Sequence, residues 1–259
     1  MESQNKLFRL DNSNIIISGG AGLLGEQHAR AILMMNGNLV LIDNNFIELK
    51  KIKKKLEYEF NKKITIFKCD VAAYKSVKNI YSKLKKKNFL IDVIINNAAL
   101  NPPPGTKLKS NFQKELAVSL IGAENLIKIF SAQMIKNKKG SIINIGSDLS
   151  VIAPDQSLYS HLNYCKPLSY SIIKHGIVGL TKYYASLFGK YNIRCNCLSP
   201  GGVFNYQDKV FVKNIKKKIP LNRMATKYDF IGTVQYLCSD ASKYLTGQNI
   251  IVDGGRTII

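Results

Sequence analysis

The chain of 259 residues is 46% apolar, enough for the core of one α/β domain. No run approaches the roughly 18 consecutive apolar residues of a membrane span, which argues against membrane insertion. A formal net charge of +21 invites nucleic acid as a partner. However, only Arg9, Arg30, Arg194, Arg223 and Arg256 among the 38 basic residues are arginines. The lysines spread over helix faces such as 50–55 and 83–87, so arginine-based base readout is missing and a field that draws in an anionic substrate or cofactor fits better.

Residues 1–13 form a lead-in without the apolar stretch of a signal peptide, so a cytoplasmic protein is expected. A β-branched run at 14–18 meets Gly19-Gly-Ala-Gly-Leu-Leu-Gly25 and then helix-compatible residues to about Met35. Strand, glycine turn and helix in that order is the context of a dinucleotide-binding turn, here offering Gly19, Gly22, Leu24 and Gly25. The second strand, 38–42, ends in Asp43, whose carboxylate can accept hydrogen bonds from an adenosine ribose and would repel a 2′-phosphate. NAD is therefore expected over NADP. A charged helix (47–60) and a strand (64–68) lead to Asp70 and Val71. Asp70 is read either as a contact to the adenine ring or as a helix N-cap.

The fourth strand, 90–95, ends in Asn96-Asn97-Ala98-Ala99, and a long helical region spans about 109–136. A fifth strand, 140–146, delivers Ser147; a sixth, 192–198, runs into Ser199-Pro200-Gly201-Gly202. Residues 203–226 have weak periodicity and read as a flap. A helix at 227–239 and a strand at 249–252 before Asp253-Gly-Gly close the chain. Alternating strands and helices predict a Rossmann-type, doubly wound α/β sheet, one domain over 1–259, with ligands at the strands' carboxyl ends. Scattered cysteines (Cys69, Cys165, Cys195, Cys197, Cys238) and only three histidines give no zinc pattern, so no metal is expected.

Between the fifth and sixth strands lies the stretch with acid–base chemistry. Tyr170 and Lys174 are four apart at the start of an apolar helix (172–188) and share a face toward Ser147. An ammonium about 4 Å from a phenol, at an effective dielectric of about 20, favours phenolate by roughly 4 kcal/mol, or about three pKa units. Tyr170 could then exchange a proton with an alcohol or carbonyl while Ser147 holds its oxygen. The same Tyr-x-x-x-Lys spacing at Tyr58/Lys62, Tyr74/Lys78 and Tyr81/Lys85 sits in lysine-rich amphipathic stretches and reads as solvated helix faces.

These residues, taken together and in this order, resemble the short-chain dehydrogenase/reductase family from about Asn14 to the end. The resemblance implies a seven-stranded parallel sheet, hydride transfer with nicotinamide, and a homotetramer or homodimer packed through the two long helices. It also implies roles: Tyr170 as acid/base, Lys174 lowering its pKa and holding the nicotinamide ribose, and Ser147 orienting the substrate. Asn97 and Ala98 would line the cofactor site, with Pro200, Gly201 and Val203 near the carboxamide.

Three departures stand out. The glycine motif places Leu23 where a middle glycine is usual, a spacing shared with the sugar-nucleotide branch of the family. Ser119 stands where the family has a catalytic asparagine that kinks its helix and holds a relay water. The gap from Ser147 to Tyr170 is longer than usual, inserting a lip at about 151–168 with Asp155, Tyr159, His161, Asn163 and Tyr164. That polar, aromatic lip suits a polyhydroxylated small molecule. Together with Ile152-Ala-Pro-Asp155 and Ser199-Pro-Gly-Gly-Val-Phe204, it is similar to the flagellin-modification protein A group. That resemblance implies oxidation or reduction of a sugar in surface-polysaccharide or flagellin-glycan biosynthesis. The alternatives are a sugar-nucleotide epimerase or dehydratase with tightly held NAD, and a non-catalytic cofactor-binding regulator.

Overall fold

The computed structural model describes residues 6–101, 111–162 and 164–259. One parallel sheet holds β1 (Asn14–Ser18), β2 (Asn38–Asp43), β3 (Thr65–Lys68), β4 (Val93–Asn96), β5 (Gly140–Ile145), β6 (Ile193–Pro200) and β7 (Asn249–Val252). Their order is β3-β2-β1-β4-β5-β6-β7. Runs such as Ile15-Ile16-Ile17 and Val93 to Ile95 are buried on both faces, which is why they read as continuous apolar strands rather than alternating ones. The strand order reverses between β1 and β4, opening a crevice at their carboxyl ends.

Helices α1 (Leu23–Met34), α2 (Phe46–Phe60) and α7 (Ile231–Cys238) cover one face, where Ile15 and Ile17 meet Ile32, Leu49, Leu56 and Val234. Helices α3 (Tyr74–Lys86), α4 (Phe112–Asn137) and α5 (Leu168–Phe188) cover the other, where Ile16 meets Val77, Ile80, Leu126, Phe130 and Phe188. Each such side chain contributes about 1.5–3 kcal/mol by leaving water. Tyr81, on α3, packs edge-on against Phe130 and so belongs to the core instead of a solvated face.

Helix α4 is long and apolar enough to cross a membrane, but most of it is buried against β4, β5 and α3. Its regularity breaks into a π-helical turn at Ala117–Ile121, centred on the buried Ser119. The widened turn therefore forms without the family's asparagine. Immediately after it, Gly122 lets Val71 approach so closely that a Cβ would lie 2.6 Å from Val71 Cγ2.

The expected flap is a structured element. Within 203–226, Val203 bridges Ala225 and α6 (Lys209–Lys216) starts at an Asp208 cap that accepts from Val210 N and Phe211 N. Helix α7 begins at Ile231, later than the expected 227, because Asp229 accepts from Thr226 N and takes the Arg223 fork, holding 226–229 in a turn.

Candidate active site

The crevice is built from backbone first. Gly19 adopts φ +65°, and a Cβ there would lie 2.8 Å from Ala98 Cα; one on Gly25 would lie 2.1 Å from Gly19 O. Glycine at both positions lets the turn after β1 close onto the end of β4. Ser18 Oγ accepts from Asn97 N and Ala98 N, and Asn97 Nδ2 donates to the carbonyls of Ser18 and Gly19. Gly22 precedes α1, and no side chain caps that helix. Its first-turn N–H groups are thus free for an anion. Leu24 contributes backbone to that turn while its side chain packs into the core.

Asp43 ends β2 at the rim. Its oxygens accept from Ala21 N (2.9 Å) and Asn45 N (2.8 Å), leaving lone pairs for a ribose diol. Asp70 is exposed and accepts from Ala72 N, so it closes a local turn; Ala73, not Asp70, occupies the α3 cap. The N-cap reading of Asp70 is thereby corrected. Val71 is buried, its carbonyl taken by Asn125 Nδ2. On the far side, a Cβ on Gly201 would lie 2.7 Å from Asp253 Cα, so the Pro200–Gly201 turn abuts the end of β7, with Val203 just beyond. Uncapped N–H groups, Cβ-free contacts and a rim carboxylate are a donor and acceptor set that suits a dinucleotide.

A polar strap aligns β4, β5 and α5. Asn96 Nδ2 donates to Asn144 Oδ1 (2.8 Å), Asn144 Nδ2 donates to Thr181 Oγ1 (2.9 Å), and Thr181 donates to Ile177 O. With β5 and α5 so held, Ser147, Tyr170 and Lys174 converge. The Tyr170 phenol lies close enough to Ser147 for the serine to act on its titration, and Lys174 Nζ lies 5.7 Å from the Tyr170 ring centroid and donates to Ile145 O (2.9 Å). Burial pushes Tyr170 up to about 12, with Ser147 opposing it, and burial pushes Lys174 down to about 8.

The expectation that Lys174 depresses Tyr170 is therefore corrected for the ligand-free chain. Burial disfavours the phenolate most strongly, and Asp148 and Tyr164 add to it, whereas Lys174 is not among the groups that offset them. As built, Tyr170 is a protonated donor.

Ser147 Oγ donates to Asp148 Oδ1 (2.9 Å), and Asp148 Oδ2 is paired at 2.5 Å with Arg256 Nη1. Both partners are buried. This pair, behind the serine, was not read from the sequence. A signal existed: in a chain this lysine-rich, each of the five arginines makes contacts that use its guanidinium, with Asp11, with Glu26 and Glu59, with Leu237 O and Ser239 O, with Asp229, and with Asp148.

The inserted segment divides. Asp155 is paired with Lys218 at 2.7 Å, and His161 Nε2 lies 2.6 Å from Asp208 Oδ1, so both tie the insertion to 203–226 and not to Ser147, Tyr170 and Lys174. Tyr159 stacks on Phe211 (5.2 Å) and meets Tyr164 edge-on (5.3 Å). Both tyrosines are within electrostatic reach of Tyr170. Asn163 lies outside the described residues. Another side chain missed from the sequence, Lys166, places its Nζ 3.8 Å from the Tyr170 ring centroid.

Among the described residues, no group of three or more His, Cys, Asp or Glu side chains could hold a metal. A hollow of about 670 Å³ lies over α6, lined by Phe204, Tyr206, Val212 and several lysines, and none of Ser147, Tyr170 and Lys174 lines it.

A family model described as enoyl-(acyl carrier protein) reductase matches residues 20–257. D-arabinitol 2-dehydrogenase [ribulose-forming] of Scheffersomyces stipitis is 31% identical over 96% of this chain and 95% of its own. The chain belongs to the short-chain dehydrogenase/reductase family. As a member it is an oxidoreductase. Post-translational flagellin modification protein A of Campylobacter coli is 28% identical over 95% of this chain and 98% of its own. A gluconate 5-dehydrogenase from Burkholderia cenocepacia, solved in complex with NADP and tartrate, superposes with a TM-score of 0.87 at 25% identity, covering 99% of both chains. The seven-stranded sheet expected of the family is the one observed.

Proposed function

We propose that this short-chain dehydrogenase/reductase interconverts a hydroxyl and a ketone on a sugar or polyol with NAD(H). The observation that carries the reading is the convergence of Ser147, Tyr170 and Lys174 at the sheet edge where the Gly19–Gly25 turn and Asp43 lie. A bound nicotinamide dinucleotide supplies the hydride or accepts it. The first turn of α1 would hold its pyrophosphate, Asp43 its adenosine ribose, and Asp70, Val71, Asn97, Ala98, Pro200, Gly201 and Val203 would line the rest.

This chain's own residues handle the proton. Ser147, fixed by Asp148, holds the substrate oxygen. Tyr170, protonated at neutral pH, donates to that oxygen as it becomes an alkoxide in reduction. In oxidation Tyr170 must first lose its proton, and the Lys174 charge stabilises the phenolate and the developing alkoxide. Ser119 lies in the π-helical turn of α4 where the family's relay asparagine would be, and its hydroxyl is the group there able to pass a proton.

NAD rather than the NADP of the Burkholderia enzyme is supported by Asp43, which would face a 2′-phosphate with like charge. A polyol or sugar is supported by the arabinitol and gluconate dehydrogenases and by the tyrosine-lined insertion. A place in flagellin or surface-glycan assembly is supported by the Campylobacter relative. Exposed apolar side chains on α4 and α5, Phe112, Ile121, Ile172, Tyr183 and Leu187, support assembly through these helices, which sedimentation would test.

The test is a screen of alditols, aldoses, ketoses and their acids and phosphates with each cofactor, followed at the nicotinamide absorbance. Turnover of at least one polyol or ketose with NAD(H), and weaker turnover with NADP(H), is expected. Absence of any cofactor-linked turnover, or a preference for NADP(H), would overturn the corresponding half.

A further inference from the structure

Lys166 sits where the inserted segment rejoins α5. Its backbone is fixed by Gln156, whose Oε1 accepts from Lys166 N (2.8 Å) and whose Nε2 donates to Lys166 O (3.1 Å). Its Nζ lies over the Tyr170 ring, 3.8 Å from the centroid, and donates to Asn101 Oδ1 (2.8 Å). An ammonium has three donors, and Asn101 takes one.

Among the described residues no carboxylate pairs with Lys166. The two that act on it electrostatically are engaged elsewhere: Asp148 with Arg256, Ser147 and Leu149 N, and Glu115 with Ser169 and Asn111 N. Lys166 and Lys174 thus flank one tyrosine with their charges unmatched. Burial and then Lys174 hold the Lys166 amine down to about 8, so it is still largely charged at neutral pH. A half-buried cation over the face of a tyrosine, with donors left over and a like-charged neighbour, is stabilised by an anion delivered from outside. The lysines around the hollow over α6 differ in kind, being solvated residues of one surface helix.

We propose that Lys166 anchors an anionic group of the substrate, a carboxylate or a phosphate. This rests on the sugar or polyol reading above and names the class of its substrate. The anion sits against the Tyr170 face of the insertion while the reacting carbon meets the Tyr170 hydroxyl, so Lys166 determines specificity and leaves proton transfer to Tyr170.

The experiment is calorimetric titration of the NADH-loaded full chain with three matched probes: D-arabinitol, D-arabinonate and D-arabinitol 5-phosphate. At least one anion should bind about tenfold or more tightly than D-arabinitol, and the one that does identifies carboxylate or phosphate. Lys166→Met should erase that advantage and Lys166→Arg should keep most of it. An equal affinity of wild type for all three probes, or an anion preference that survives Lys166→Met, would overturn the proposal; the wild-type comparison holds even if the methionine variant folds poorly. The turnover screen separates the two readings. Cofactor-linked oxidation of neutral polyols without anion preference sinks the anchor alone, whereas Lys166-dependent anion binding with no turnover of any probe sinks the oxidoreductase substrate reading alone.

Discussion

Lys174→Met should make the protein more stable at neutral pH while removing its activity. Lys174 is 5% exposed, and burial holds its amine at about 8 against an ordinary 10.5. Keeping it protonated in the fold below pH 8 costs about 3–4 kcal/mol, from about 2.5 units at about 1.4 kcal/mol each. Its charge-assisted hydrogen bond to Ile145 O returns about 1.5 kcal/mol, and methionine fills similar volume. The variant should therefore gain about 2 kcal/mol at pH 7, or a few degrees in Tm.

The sign must change with pH. Between about 8 and 10.5 the unfolded lysine binds more protons than the folded one, so wild-type stability rises with pH through that window. Near pH 10.5 the burial cost has gone, and the variant, having lost the Ile145 contact, should be the less stable by about 1 kcal/mol. Urea denaturation at pH 7 and at pH 10.5 reads both values. A variant destabilised at pH 7, with a difference that does not move with pH, would refute the argument that Lys174 is held charged against its environment.

Three other outcomes follow from single residues. Asp43→Asn should raise the NADP(H)/NAD(H) affinity ratio about tenfold or more by removing the charge at the ribose rim, as cofactor fluorescence would measure. Arg256→Met should destabilise the fold by about 3–5 kcal/mol, because Asp148 would be left as an unpaired buried charge; urea titration checks it. His28 is fully buried, neither ring nitrogen has a partner among the described residues, and burial pushes it down to about 4. Its folded pKa lies below the unfolded value, so up to about 3 kcal/mol of stability should disappear as pH falls from about 6.5 to 4, and His28→Leu should flatten that part of the curve.

The sheet was legible because most of its strands are short apolar, largely β-branched runs with Gly, Asp or Asn at or just past their ends; β6, Ile-Arg-Cys-Asn-Cys-Leu-Ser-Pro, is the exception in composition. The clustering of Ser147, Tyr170 and Lys174 was legible because Tyr170 and Lys174 are helical neighbours after a buried strand. What stayed hidden depends on partners distant in sequence. Helix α6 buries only Phe211 and Ile215, and it does so against Leu158 from the insertion, so it has too few apolar positions to show a period. Asp148 meets Arg256, 108 positions away, and the stacking of Lys166 on Tyr170 arises from how the insertion folds back. The direction of the Tyr170 shift was misjudged because spacing shows a nearby cation but not the burial that opposes it.

The central claim, that Tyr170 moves the proton in a nicotinamide-linked reaction, is tested most directly by Tyr170→Phe. With a substrate established for the wild type, kcat should fall by about a hundredfold or more, since a positioned acid/base contributes about 10²–10⁴. NADH affinity should stay within a few-fold of wild type. Turnover within tenfold of wild type in a folded, cofactor-binding Tyr170→Phe protein would contradict the account.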